Sequence, residues 1–227
     1  MTKEDSSQFD QRLKTIKSLE ERYSPEKFKE RFPKFTSNVY CGFSLPPGWG
    51  PILWRTLEKI EGILEDFKDL QSERGKSEVE GRFGLHQVKE KFAQLRVYYH
   101  TEGVDDEWYR NNIDHAVDTA EGASVFICEQ CGTSVDTVSS SGGGYWLLTL
   151  CGACREDREL ERDKDHTRYF LESVAKYHGN TKEDSGNIEY IKYLWKGLRE
   201  DSRNLVCAEL GDKLEEWMTV FEVSNDD

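Results

Sequence analysis

Two cysteine pairs constrain this chain more than any other feature. Cys128-Glu129-Gln130-Cys131 and Cys151-Gly152-Ala153-Cys154 are C-x-x-C motifs with nineteen residues between them. That doubled spacing is a zinc-site signature. Two cysteines three apart turn both thiolates to one side of a tight knuckle, and two knuckles supply four ligands in tetrahedral array. Gly132 and Gly152 suit such turns, because glycine accepts positive φ without strain. The spacing therefore predicts one zinc ion on Cys128, Cys131, Cys151 and Cys154. Four thiolates leave no position open for water, so the ion is expected to be structural rather than catalytic. The alternatives are two disulfides or four free thiols.

Between the knuckles the sequence predicts a zinc ribbon. Thr133 to Val138 runs outward, 139–144 (Ser-Ser-Ser-Gly-Gly-Gly) is the turn, and Tyr145 to Leu150 returns. From Cys128 to Cys154 there is no Lys, Arg or His, and the charged residues are Glu129 and Asp136. Four thiolates on Zn²⁺ leave a site of about −2. Phosphate binding needs cations that displace counterions. The ribbon lacks them, and it also lacks the histidine of a ββα nuclease motif.

The rest of the chain reads as helices around one hairpin. Leu13, Ile16, Leu19 and Tyr23 fall at helical spacing, and Ser24-Pro25-Glu26 starts a second helix. Residues 41–51 hold three prolines and three glycines, so they are expected to be irregular. Leu53, Leu57, Ile60, Leu64 and Phe67 form one apolar stripe, which should end before a solvated loop at 71–76. Residues 86–99 alternate in two opposite phases, Val88-Glu90-Phe92 and then Leu95-Val97-Tyr99. A hairpin turn is expected near Ala93-Gln94. A helix from about Asp106 presents Tyr109, Ile113, Ala116, Val117, Ala120 and Ser124 on one face. After the cysteines come a very charged helix from about 155 to 177 and two amphipathic ones. The first carries Ile188, Ile191, Leu194, Trp195 and Leu198. The second carries Leu205, Ala208, Leu210, Leu214, Trp217 and Phe221.

The expected fold is thus α+β: helices around a β-hairpin and a four-cysteine zinc ribbon. Residues 1–155 form one module, and 156–227 an acidic helical extension. Net charge is −13, and it is uneven. Residues 1–40 hold nine Lys and Arg against seven Asp and Glu, while 155–227 hold twelve against nineteen. Such a charge repels polyanions at long range. The chain has no run of 18 apolar residues, so no membrane span is expected. The N-terminus has no apolar signal region. The expected location is the cytoplasm, where paired cysteines bind metal before they form disulfides.

Three blocks carry a family resemblance. They are Cys41-Gly42-Phe43 through Gly48-Trp49, Gln87 to Phe92 with Leu95 to Tyr99, and the cysteine pairs with Trp146 and Thr149-Leu150. Together they resemble an uncharacterised family of bacteriophage and prophage proteins, in which a QVKEKFGGLRFY hairpin precedes a zinc knuckle. The resemblance spans about residues 30–155. It departs at Ala93-Gln94, where the family has two glycines, and at Pro46-Pro47. It implies a phage-linked origin, with the host cytoplasm as location, and a fold; it implies no reaction.

Function candidates follow from these readings. The leading expectation is a zinc-stabilised, non-enzymatic protein of phage type that binds another protein and inhibits a host enzyme or defence factor. The tail would supply the contact through Trp195 and Trp217, unless those stripes complete the core. A nucleic-acid-binding accessory protein is the alternative. It would use Arg82, Lys89, Lys91 and Arg96, which share the hairpin with Tyr98, Tyr99 and His100. An enzyme whose site no motif reveals is the third. Cys41 and Cys207 are expected to be small buried hydrophobes. Asp105-Asp106-Glu107 reads as a helix N-terminus rather than a hard-metal site.

Overall fold

The computed structural model describes residues 3–37, 39–75, 81–102, 106–134, 139–140, 147–177 and 185–210. The chain divides into two compact units, Met1–Arg155 and Glu156–Asp227.

The first unit is α+β. Helix α1 (Lys3–Arg22) is followed by α2 (Pro25–Arg31) and the single turn α3 (Pro33–Thr36). Ser24 caps α2 by accepting from Lys27 N–H, and Pro25 sits in its first turn. A short 3-10 turn, Pro47–Trp49, leads into α4 (Gly50–Glu73). The α4 stripe is buried at Leu53, Leu57, Ile60, Ile63 and Phe67. The helix runs three residues past the expected stop, because Gln71 is buried beside Asp106 and is not in a solvated loop. Helix α5 (Glu107–Ser124) buries the six residues its periodicity picked out. Its N-cap Asp106 accepts from Tyr109 N–H, so Asp106-Glu107 is a capped helix start, and Asp105 lies outside the described residues.

Strands β1 (Arg82–Glu90) and β2 (Leu95–Glu102) form the hairpin. The turn lies one residue earlier than expected. Phe92 and Ala93 are its two central residues, at φ 55° and 60°, between reciprocal Lys91–Gln94 backbone bonds. Phe92 is therefore 69 % exposed and does not continue the buried Val88 face. A bulge between Leu85 and Gln87 inserts His86. Both hairpin edges are covered. Phe43 bridges Val88 in parallel, with Ser44 N–H bonding Val88 O and Val88 N–H bonding Gly42 O. On the other edge, Leu95 N–H bonds Ser124 Oγ and Val97 N–H bonds Glu121 Oε1. The inner face packs Phe83, Leu85, Val88, Leu95 and Val97 into one core with Phe28, Phe32, Trp49 and the α4 and α5 stripes.

The ribbon strands are β3 (Ser139–Ser140) and β4 (Leu147–Leu148). Antiparallel pairing of Ser139 with Leu148 makes these serines strand, where the glycine-rich pattern had suggested turn. The outward strand expected at 133–138 is described only at Thr133 and Ser134, where Ser134 bridges Ile127.

The second unit has its own core. Helices α6 (Gly152–Tyr177, whose first turn belongs to the first unit), α7 (Ser185–Gly197) and α8 (Glu200–Leu210) bury Phe170, Val174, Ile191, Leu198 and Val206. Buried Asp163 on α6 accepts from Arg199 N–H and from the Ser202 hydroxyl, fixing the start of α8. The α8 face differs from expectation. Ser202 and Val206 point inward, four residues apart, and Leu205 is 68 % exposed. Cys207 is exposed for the same reason, on the solvent side of α8. Cys41 is exposed because its segment runs along the hairpin edge rather than under it. Neither is the buried hydrophobe expected.

Candidate metal centre

The four cysteines converge. Their Sγ atoms all lie within 4.8 Å of one another. Zn–S bonds of about 2.3 Å in a tetrahedron place sulfurs about 3.8 Å apart, and Cys131 Sγ is 3.7 Å from Cys151 Sγ. Cys128 and Cys154 are buried, and Cys131 and Cys151 half-buried, in a small cluster with Leu148 and Leu150. The donor set, spacing and enclosure fit a tetrahedral thiophilic cation. These four residues would hold it, and its chemistry there would be cross-linking the two knuckles.

Local geometry explains the convergence. Gly132 adopts φ 75°, and its N–H bonds Cys128 O, closing the first knuckle. Cys128 N–H bonds Thr133 O across the same turn. The second knuckle opens α6, where Arg155 N–H reaches Cys151 O.

The thiols perturb one another. Hydrogen bonding with Cys131 pushes the Cys128 thiol up to about 11. Contact with Cys128 and then Cys131 raises Cys154. Cys131 is lowered, first by Cys128 and then by Cys154. Backbone N–H groups of Cys131 and Cys151 favour the Cys128 thiolate, and Thr133 favours that of Cys131. Sulfurs this close ionise together only around a positive charge.

The knuckles are anchored to the core by residues that no spacing rule marks. Gly48 N–H bonds Glu129 O at 2.7 Å. A methyl at Gly48 would come within 2.6 Å of Gly132 N and 2.8 Å of Glu129 C, so the backbones touch only because this residue is glycine. Fully buried Trp49 donates its indole N–H to Ile127 O at 2.8 Å. Buried Glu129 ties the knuckles together: its N–H bonds Thr149 O, and its carboxylate accepts from Thr149 N–H. Thr149 Oγ1 in turn donates to Ala93 O at the hairpin turn. The Pro-Pro-Gly-Trp-Gly run was the one sequence signal of this contact, since two glycines around a buried tryptophan suit a close backbone approach.

The remaining candidates are spread over the molecule. Arg82, Lys89, Lys91 and Arg96 lie on the hairpin, but Arg96 is neutralised by Glu121 at 2.7 Å. Tyr99 faces inward, stacked on Phe83 and bonded to Asp114, so it leaves the cationic face. Trp195 is half-buried against Phe170, with Arg203 over its ring. Trp217 and Trp146 lie outside the described residues.

Comparison with protein-family models, curated proteins and solved structures found no match. No described helix is long and apolar enough to cross a membrane.

Proposed function

We propose that the four cysteines hold one structural Zn²⁺, and that the stabilised chain is a non-enzymatic, protein-binding protein of phage type acting on a host enzyme or defence factor. The closed four-sulfur cluster carries this reading: every ligand position is filled by the chain, which suits a scaffold and leaves no site for substrate. The phage origin and host location rest on the three-block resemblance alone. Elemental analysis of purified protein should find one zinc per chain, and a folded, metal-free protein would end the zinc reading. Affinity purification from expressing cells should recover one stoichiometric protein.

A specific observation favours a second reading. Lys89 lies 4.9 Å over the Tyr98 ring and Lys91 5.3 Å over Phe92, a pairing of cations and aromatics also used on nucleic acids. With a net charge of −13, no duplex DNA binding is expected at physiological salt. Tight binding with a steep salt slope would favour the accessory-protein reading.

A further inference from the structure

The outer face of the hairpin combines cations with aromatic rings. Its cross-strand rows are Lys89–Arg96, Gln87–Tyr98, Gly84–His100 and Arg82–Glu102. The bulge turns His86 to the same side, where its ring lies 4.4 Å from that of His100. Gly84 makes this possible, because a methyl there would meet His100 Nε2 at 2.9 Å. Tyr40, 71 % exposed, packs edge-on against His86. Tyr40, His86 and His100 thus form a ring row across the face, with half-exposed Tyr98 and exposed Phe92 beyond it.

Charge follows a pattern too. Arg96 is paired with Glu121, and Glu102 lies 3.6 Å from His100. No described carboxylate lies within ion-pair range of Arg82, Lys89 or Lys91. Three cations with exposed rings therefore sit on an acidic molecule, and a partner with carboxylates complements them. The neighbourhood limits its length. Asp114, Asp118 and Glu121 of α5 lie close enough to β2 to perturb Tyr99. A polyanion overrunning β2 meets these carboxylates, whereas a short segment along the strands does not. Gly42–Ser44 at Val88 and α5 at Leu95 and Val97 already occupy the edges beside the turn, so strand addition is blocked there.

We infer that this face docks a short acidic, aromatic-containing polypeptide segment, its carboxylates on Arg82, Lys89 and Lys91 and its rings on Tyr98 and the Tyr40–His86–His100 row. The inference rests on the protein-binding reading above and supplies its surface and partner chemistry.

Amide NMR of the full-length protein tests it with three probes: a Glu/Trp-rich peptide, its Lys-for-Glu counterpart, and oligo(U). The acidic peptide should shift Lys89, Tyr98 and His100 and weaken with salt, and the basic one should not bind there. Lys89→Glu/Lys91→Glu and Tyr98→Ala alter outer-face side chains, half-buried at Lys89 and exposed at Lys91 and Tyr98, so folding should persist; each should lower affinity about tenfold or more. Oligo(U) shifting these resonances more strongly than the peptide would overturn the inference in favour of nucleic acid. Absence of peptide shifts at the face would overturn it outright. A purified protein partner retained undiminished by Lys89→Glu/Lys91→Glu would remove this face while leaving the protein-binding reading standing.

Discussion

Trp49 donates its indole N–H to the carbonyl of Ile127, the residue just before the first metal-site cysteine. Trp49 is fully buried and precedes the first turn of α4. The same side chain thus packs the main core and holds the knuckle, so metal binding and core folding should be coupled.

Removing a ligand tests that coupling. Cys128→Ser or Cys154→Ser should lose the metal and cost at least about 3 kcal/mol. A strong chelator should lower the wild-type melting temperature by roughly 10 °C or more. Calorimetry with parallel metal analysis reads both, and unchanged melting in chelator would mean the cysteines do not hold a stabilising metal.

Gly48→Ala should act like a ligand mutation although it is not a ligand. The added methyl meets knuckle backbone rather than a flexible side chain. The expected cost is about 2 kcal/mol or more, with weaker metal retention in a competition assay against a chromophoric chelator. Wild-type retention would show that the loop and knuckle are not in register.

Phe92→Gly should stabilise the protein. Phe92 holds φ 55° and is largely exposed, so glycine relieves strain and sacrifices little packing. The gain should be about 0.5–1 kcal/mol, read from urea unfolding. A loss would mean that the Lys91–Phe92 contact outweighs the backbone term.

Alkaline stability should depend on Tyr109. Burial pushes its hydroxyl up to about 12, and the neutral form donates to Arg82 O. A raised folded pKa means the contribution is fully present below about pH 10 and lost as pH rises through about 12. The wild type should lose up to about 2 kcal/mol across that window, and Tyr109→Phe should lose less. Parallel pH curves for the two proteins would assign the alkaline transition elsewhere.

Truncation after Glu156 should leave a folded, metal-binding protein. The aromatic core and all four cysteines lie within Met1–Arg155. Cooperative melting with one metal per chain is the expected result. Aggregation or metal loss would show that the C-terminal helices complete the first unit.

Much of this was legible in local pattern. Cys128, Cys131, Cys151 and Cys154 are marked by spacing alone, because the geometry of a knuckle is set within four residues. The apolar faces of α4 and α5 are marked by a 3.6-residue period, and the hairpin by its reversed alternation. The turn was misplaced by one residue. Period-2 alternation says nothing about which residues accept positive φ; Phe92 and Ala93 do so between the reciprocal Lys91–Gln94 bonds, with Ala93 N–H donating to Glu90 and Ala93 O accepting from Thr149. Leu205 and Cys207 were misassigned because an α8 face shared by several apolar residues has more than one inward rotation. Docking Ser202 against Asp163 selects one of them.

The chain by itself thus determined the two cysteine pairs, the helices and the existence of a hairpin, since each depends on residues close in sequence. Tertiary structure alone decided what those elements touch. Trp49 meets Ile127 across seventy-eight positions, and Thr149 meets Ala93 across fifty-six. Glu121 neutralises Arg96 but lies out of reach of Lys89. Such contacts follow from how the helices and hairpin pack, and many sequences with the same local periodicity would pack differently.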